Sequence, residues 1–128
     1  MDIRIAREYY YERETRRRED REKLRQQWLL RVKTAVLQCA SRCTGIERVY
    51  LFGSLLEPGR FRADSDIDVA IDCDSLETEC KFWRLLEQEL QRDVDVRPRV
   101  GSIADAVARN SILVYEQRNG CHKEVGGW

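Results

Sequence analysis

Asp66 and Asp68 stand two residues apart in Ser65-Asp66-Ile67-Asp68-Val69-Ala70-Ile71-Asp72, and Asp95 stands between two valines in Val94-Asp95-Val96. In an extended chain, alternate residues point to opposite faces. Asp66 and Asp68 therefore share one side, while Ile67, Val69 and Ile71 take the other. A carboxylate on the core side of a sheet is costly unless it is paired or bound to metal. Oxygen ligands of this kind suit Mg²⁺, which typically takes one or two protein carboxylates together with substrate phosphates. Two such ions ~4 Å apart can activate an attacking oxygen and stabilise a leaving one. Gly53-Ser54 follows the apolar run Val49-Tyr50-Leu51-Phe52 directly. A Gly-Ser turn offers close backbone approach and N–H donors for phosphate oxygens, and a helix starting there would favour the anion further. Asp-x-Asp alone is common, and Asp93 with Asp95 repeats it. The weight lies in two such strands, each with an opposed Val/Ile face, preceded by Phe52-Gly53-Ser54.

The elements that must carry these residues can be read in order. No Gly or Pro interrupts Asp2 to Cys43. Glu12/Arg16, Glu14/Arg18 and Glu19/Lys23 place an acid four residues before a base, a spacing that supports helix. Leu24, Trp28, Val32, Ala35, Val36 and Cys39 recur at steps of three and four, the mark of one buried helical face. The expectation is a long helix, polar near its start and amphipathic near its end, closed at Thr44-Gly45 by a left-handed glycine cap. Arg48–Phe52 reads as a buried strand, with a turn-rich connection after Gly53 that includes a short helix. Asp66–Asp72 reads as a second strand, and a helix starts near Asp74-Ser75 and runs to about Gln91. Asp93–Arg97 reads as a third strand limited by Pro98. Ser102-Ile103-Ala104-Asp105 resembles a capping box for a short helix ending near Asn110, and Ile112–Tyr115 suits a short closing strand. This order predicts an α+β domain, a small mixed sheet flanked by helices.

Composition bounds the reading. The chain has 128 residues, room for one domain, and its 23 Lys/Arg balance 23 Asp/Glu, which argues against a uniformly basic nucleic-acid binder. The balance hides a split: residues 1–33 hold 11 bases against 7 acids, and the remainder is acidic. Tyr9, Tyr10 and Tyr11 with Ile3 and Ile5, followed by Arg16-Arg17-Arg18, give the basic head the features of a partner-docking arm. No apolar run approaches the ~20 residues of a membrane span, and Met1-Asp2-Ile3-Arg4 lacks the apolar segment of a secretory signal, so a cytoplasmic protein is expected. Five cysteines (Cys39, Cys43, Cys73, Cys80 and Cys121) are odd in number and lack CxxC spacing, which predicts reduced thiols. The lone His122 lies in a polar tail and is expected to be solvent-exposed.

Leu51-Phe52-Gly53-Ser54, then Phe61, then Asp64-Ser65-Asp66-Ile67-Asp68-Val69-Ala70-Ile71 resembles the core motif of the minimal nucleotidyltransferases, within the DNA polymerase β-like superfamily. Val94-Asp95-Val96 resembles the strand that holds their third carboxylate, and Asn110–Glu116 resembles their usual ending. The resemblance covers about residues 46–117. It makes 46–117 the catalytic core, with the long charged helix read above over 1–45 packing on it, mostly outside the resemblance, and a polar tail over 118–128. It implies that Asp66 and Asp68 bind two Mg²⁺ ions, and that Asp95 binds the nucleophile-side ion and helps deprotonate the acceptor hydroxyl. Gly53 and Ser54, with Ser65 at the turn into the strand, would hold ATP. The reaction would be transfer of AMP with release of pyrophosphate. Many such proteins are antitoxins that adenylylate a tyrosine of a HEPN-domain ribonuclease toxin, which makes that toxin the expected partner and a homo- or hetero-oligomer the expected form. A catalytically weak antitoxin acting by binding alone is the alternative. Family members commonly carry a basic residue soon after Gly-Ser. Here Leu55-Leu56-Glu57-Pro58 intervenes, and Arg60 and Arg62 are the first cations.

Overall fold

The computed structural model describes residues 2–117, so Cys121, His122 and the polar tail lie outside the described residues. The order is α1 (Ile3–Ser41), β1 (Ile46–Phe52), a 3₁₀ turn (Gly53–Leu56), β2 (Ile67–Cys73), α2 (Leu76–Leu90), β3 (Val94–Pro98), α3 (Gly101–Arg109) and β4 (Ile112–Glu116). The four strands form one sheet in the order β3-β2-β1-β4. β1 runs antiparallel to both β2 and β4, whereas β2 and β3 are parallel and joined through α2. This is the mixed, helix-flanked α+β sheet expected.

α1 has 39 residues, a rod about 58 Å long. The Asp2 side chain caps it by accepting from the Arg4 N–H at 3.0 Å. The expected acid–base pairs at four-residue spacing do not close. The ion pairs that form inside the helix are Glu14–Arg17 at 3.3 Å and Glu22–Arg25 at 2.6 Å, each one residue shorter in spacing. From Asp2 to Asp20 every residue but half-buried Glu14 is exposed. The buried stripe Val32, Ala35, Val36, Cys39 and Ala40 then packs on the sheet beside Phe82, Leu86 and Leu90 of α2.

Ile67, Val69 and Ile71 of β2, Val49 and Leu51 of β1, and Val94 and Val96 of β3 face that helical layer and are all but fully buried. The opposite face carries Arg48, Tyr50 and Phe52, then Asp68, Ala70 and Asp72, then Asp95, Arg97 and Arg99. α3 lies against β1 and β2. Ala70 and Val107 are buried yet stand outside the main core, so α3 covers only the middle of this second face. Charge ladders finish it: Arg99 grips Asp72 with contacts of 2.8–3.1 Å, and Arg48 Nε donates to Glu116 at 2.8 Å.

Two termini differ from expectation. α1 is closed by Arg42 in a right-handed conformation, and Gly45, at φ 95°, serves the turn into β1 instead. The Asp74 carboxylate packs where a Gly45 side chain would be, and the Asp74 N–H donates to the Gly45 carbonyl at 3.0 Å. The capping box at Ser102 does not form. α3 starts two residues earlier, behind Val100, which makes no side-chain cap, and Ser102 is already helical. Four cysteines are described, all free: Cys39 and Cys43 are buried, Cys73 is half-buried and Cys80 is exposed.

Among the described residues no helix is long and apolar enough to cross a membrane. Phe82→Ala is expected to cost about 3–5 kcal/mol in urea unfolding, because it empties the α1–sheet–α2 layer. Tyr10→Ala, on the exposed arm, is expected to change stability by less than about 0.5 kcal/mol in the same measurement.

Candidate active site

β2 and β3 pair so that Asp68 lies directly opposite Asp95. Asp66 stands just before β2 on the same side, exposed, while Asp68 and Asp95 are half-buried. Asp93 is exposed and lies ahead of β3. Its carbonyl accepts the Ile67 N–H at 3.3 Å, so its backbone only anchors the start of the pairing, and Asp95 is the residue in register with Asp68. The structure thus brings together the three carboxylates singled out by type and spacing.

Asp68 senses both neighbours. Burial first, then the charges of Asp95 and Asp66, push its carboxyl up to about 6, with Arg97 pulling the other way. The first three causes are those a bound cation would relieve. Asp95 is held differently. Arg97 Nε donates to its two carboxylate oxygens at 3.0 and 3.2 Å. As the side chains stand, no group of three or more His, Cys, Asp or Glu among the described residues is arranged to hold a metal ion. The set suits Mg²⁺ in donor type and in strand register, and Asp68 remains crowded by like charge. Arg97 and a metal ion would compete for the Asp95 oxygens.

Gly53 lies against this cluster. Its φ is 81°, a left-handed conformation that favours glycine, and a Cβ there would overlap Asp68 Oδ2. The Gly-Ser turn is therefore pressed onto the carboxylates by the absence of a side chain. Ser54 follows in the 3₁₀ turn. Only four residues are helical here, Gly53–Leu56, so little helix dipole is available for an anion. Ser65 is used by its own turn: its hydroxyl accepts the Arg62 N–H at 2.9 Å.

The cations near in sequence to Gly-Ser are spent locally. Arg60 pairs with Glu57 at 3.4 Å, and Arg62 donates to the Gly59 carbonyl at 2.8 Å. A cavity of about 400 Å³ beside the turn is lined by Phe52, Gly53, Glu57, Ala106, Arg109 and Asn110. Arg109, in the last turn of α3, is the cation that faces the same space as Gly53. No local signal could have marked it, since only the return of α3 across the sheet brings it there.

The raised Asp68 carboxyl has a stability consequence. Its charged form is disfavoured in the fold, so this contribution is full below the unbound value of 3.8 and lost as pH rises through about 6. Asp68→Asn is expected to stabilise the metal-free protein by about 1–2 kcal/mol at pH 7.5, a figure already reduced for the residue's partial exposure. The gain should vanish towards pH 4 in paired urea titrations. Added Mg²⁺ should stabilise the wild type and not the variant. An Asn variant less stable than wild type at pH 7.5 would contradict this electrostatic picture.

The family described as polymerase beta, nucleotidyltransferase matches residues 35–119. No curated protein sequence matches the chain significantly. Among solved structures, a toxin–antitoxin crystal structure with AMP-PNP aligns at 20% identity and a TM-score of 0.56, over 67% of this chain and 74% of that one. A mutant of the toxin–antitoxin MntA-HpeT aligns at 18% and 0.55, over 67% and 74%. The toxin–antitoxin MntA-HepT aligns at 18% and 0.50, over 67% and 71%. At such identities the likeness is one of fold. The family match spans most of the chain, from the buried half of α1 through β4, and the carboxylate-bearing strands lie inside it: this protein belongs to the polymerase β nucleotidyltransferase family.

Proposed function

We propose that this protein transfers AMP from ATP to a protein hydroxyl, and that it is an antitoxin acting on a tyrosine of a HEPN ribonuclease toxin. The observation that carries the reading is Asp68, half-buried opposite Asp95, beside Asp66 and against Gly53. Support for the partner comes from the resemblance in the motifs and from the toxin–antitoxin structures that share the fold.

In this reading Asp66, Asp68 and Asp95 hold Mg²⁺, which when bound offsets their charge and that of the triphosphate. Gly53 and Ser54 receive phosphate oxygens through backbone N–H groups and the Ser54 hydroxyl. Arg109 supplies, from across the cavity, the cation that Leu55-Leu56-Glu57-Pro58 does not. Asp95 takes the proton of the acceptor hydroxyl as its oxygen attacks the α-phosphorus. The bond to the β-phosphate breaks on the far side, and its electron pair leaves with pyrophosphate. Ser65 supports the nucleotide side through the turn that leads into Asp66. The arm of α1, with Tyr9, Tyr10 and Tyr11 exposed, is the surface offered to the partner.

A second reading, neutralisation by binding alone, is favoured by the Arg97–Asp95 pair and by Glu57 in the cavity. The two separate cleanly. With α-labelled ATP, Mg²⁺ and the toxin encoded beside it, the wild type is expected to label the toxin. Asp66→Asn and Asp95→Asn are each expected to slow labelling by at least about 100-fold. Arg109→Ala is expected to raise the KM for ATP about tenfold. An unlabelled toxin, neutralised equally by wild type and a folded Asp66→Asn/Asp68→Asn variant, would establish the binding-only reading instead.

A further inference from the structure

Two arginines outside the carboxylate set each end on one loop of the site, and both depend on α1. Arg25 is buried at 7% exposure. Glu22, one turn earlier, holds its Nε at 2.9 Å and its Nη2 at 2.6 Å. That leaves Nη1 free to donate to the Leu55 carbonyl at 3.0 Å, inside the 3₁₀ turn that begins with Gly53 and Ser54. Arg92 sits in the connection between α2 and β3. Its guanidinium lies between the rings of Trp28 on α1, at 4.6 Å, and Phe61, at 4.7 Å. From that slot Nη2 donates to the Arg62 carbonyl at 2.9 Å and Nε to the Ser65 carbonyl at 3.0 Å. Ser65 is the residue before Asp66.

Neither guanidinium pairs with the three aspartates. Arg25 gives one donor to a loop carbonyl and two to Glu22, and Arg92 gives its donors to two loop carbonyls, so both partly desolvated cations are satisfied by the loops they touch. The demands on the two differ. Arg25 delivers one hydrogen bond to its loop, a task an ammonium can approximate. Arg92 needs a flat cation to fit between two rings and a fork to reach two carbonyls, which only arginine provides.

We propose that Arg25 and Arg92 are positioning residues for nucleotidyl transfer: Arg25 sets the Gly53–Ser54 turn on the nucleotide side, and Arg92 sets the Arg62–Ser65 turn that aims Asp66 and Asp68 on the metal side. Trp28 makes α1 the brace for the second as Arg25 does for the first. The roles of the two loops rest on the nucleotidyltransferase reading above.

Hydrogen exchange of the ligand-free full chain, with Mn²⁺ binding and Mg²⁺–AMP-PNP binding beside it, tests this. Arg25→Ala is expected to speed exchange over residues 53–57, leave 62–66 unchanged, and weaken AMP-PNP about tenfold with Mn²⁺ affinity held within about twofold. Arg92→Ala is expected to speed exchange over 62–66, leave 53–57 unchanged, and weaken Mn²⁺ about tenfold. Arg25→Lys should recover most of the wild-type behaviour, and Arg92→Lys should behave as Arg92→Ala. If an alanine variant does not fold, Arg92→Lys carries the metal-side test, and Arg25→Met, which keeps the stem and loses the donor to Leu55, is expected to loosen residues 53–57 in its place. Equal loosening of both segments, no loosening, or a full rescue by Arg92→Lys would overturn the proposal. A wild type that binds neither Mn²⁺ nor AMP-PNP would overturn the functional reading, while the exchange pattern still decides whether each arginine holds its loop.

Discussion

Asp68 is a carboxylate that the fold has surrounded with its own kind. The parallel pairing of β2 and β3 sets Asp95 directly opposite it, Asp66 precedes it on the same side, and Gly53 closes over it. Burial and two like charges raise it to about 6, while the one cation that lowers it, Arg97, is committed to Asp95. An arrangement of this kind is a standing electrostatic debt, and a divalent cation would discharge it. Glycine at position 53 follows from this placement, because any side chain there would collide with the Asp68 carboxylate.

The scaffold serves this constraint through α1. Its buried half packs with α2 on the apolar side of the sheet, which holds β2 and β3 in register and so fixes the distance between Asp68 and Asp95. Trp83 Nε1 donates to the Val94 carbonyl at 2.6 Å, and Glu87 accepts the Val94 N–H at 3.1 Å, so α2 also holds the start of β3. The same helix α1 reaches past the sheet edge to both loops and then continues as an exposed arm. One element therefore joins the core, the site and the surface proposed for the partner.

The parts of this structure that were legible in the sequence are those governed by neighbours in the chain. Alternation of Ile67, Val69 and Ile71 with Asp66 and Asp68 placed the carboxylates on one face before any pairing was known. The stripe from Val32 to Cys39 did the same for the buried side of α1, and the Gly53 turn stood out because it followed Phe52 directly. What was not legible depends on residues distant in the chain. Ser102 and Asp105 have the composition of a capping box, but the chain enters α3 through Val100 and Gly101, so Ser102 falls inside the helix. Arg60 and Arg62 were near Gly53 in sequence and turned out to serve their own loop. Arg109 was far away and faces Gly53 across the cavity. Arg92, unremarkable in the sequence, gains its meaning only when Trp28 and Phe61 close on it.

The central claim is that Asp66, Asp68 and Asp95 act together on a metal-bound nucleotide. Crystals grown with Mn²⁺ and AMP-PNP test it most directly, by the anomalous signal of manganese. Mn²⁺ is expected on all three carboxylates, with Arg97 withdrawn from Asp95 and the triphosphate against Gly53 and Ser54. Nucleotide bound elsewhere, with no manganese at these carboxylates and Arg97 still seated on Asp95, would contradict it.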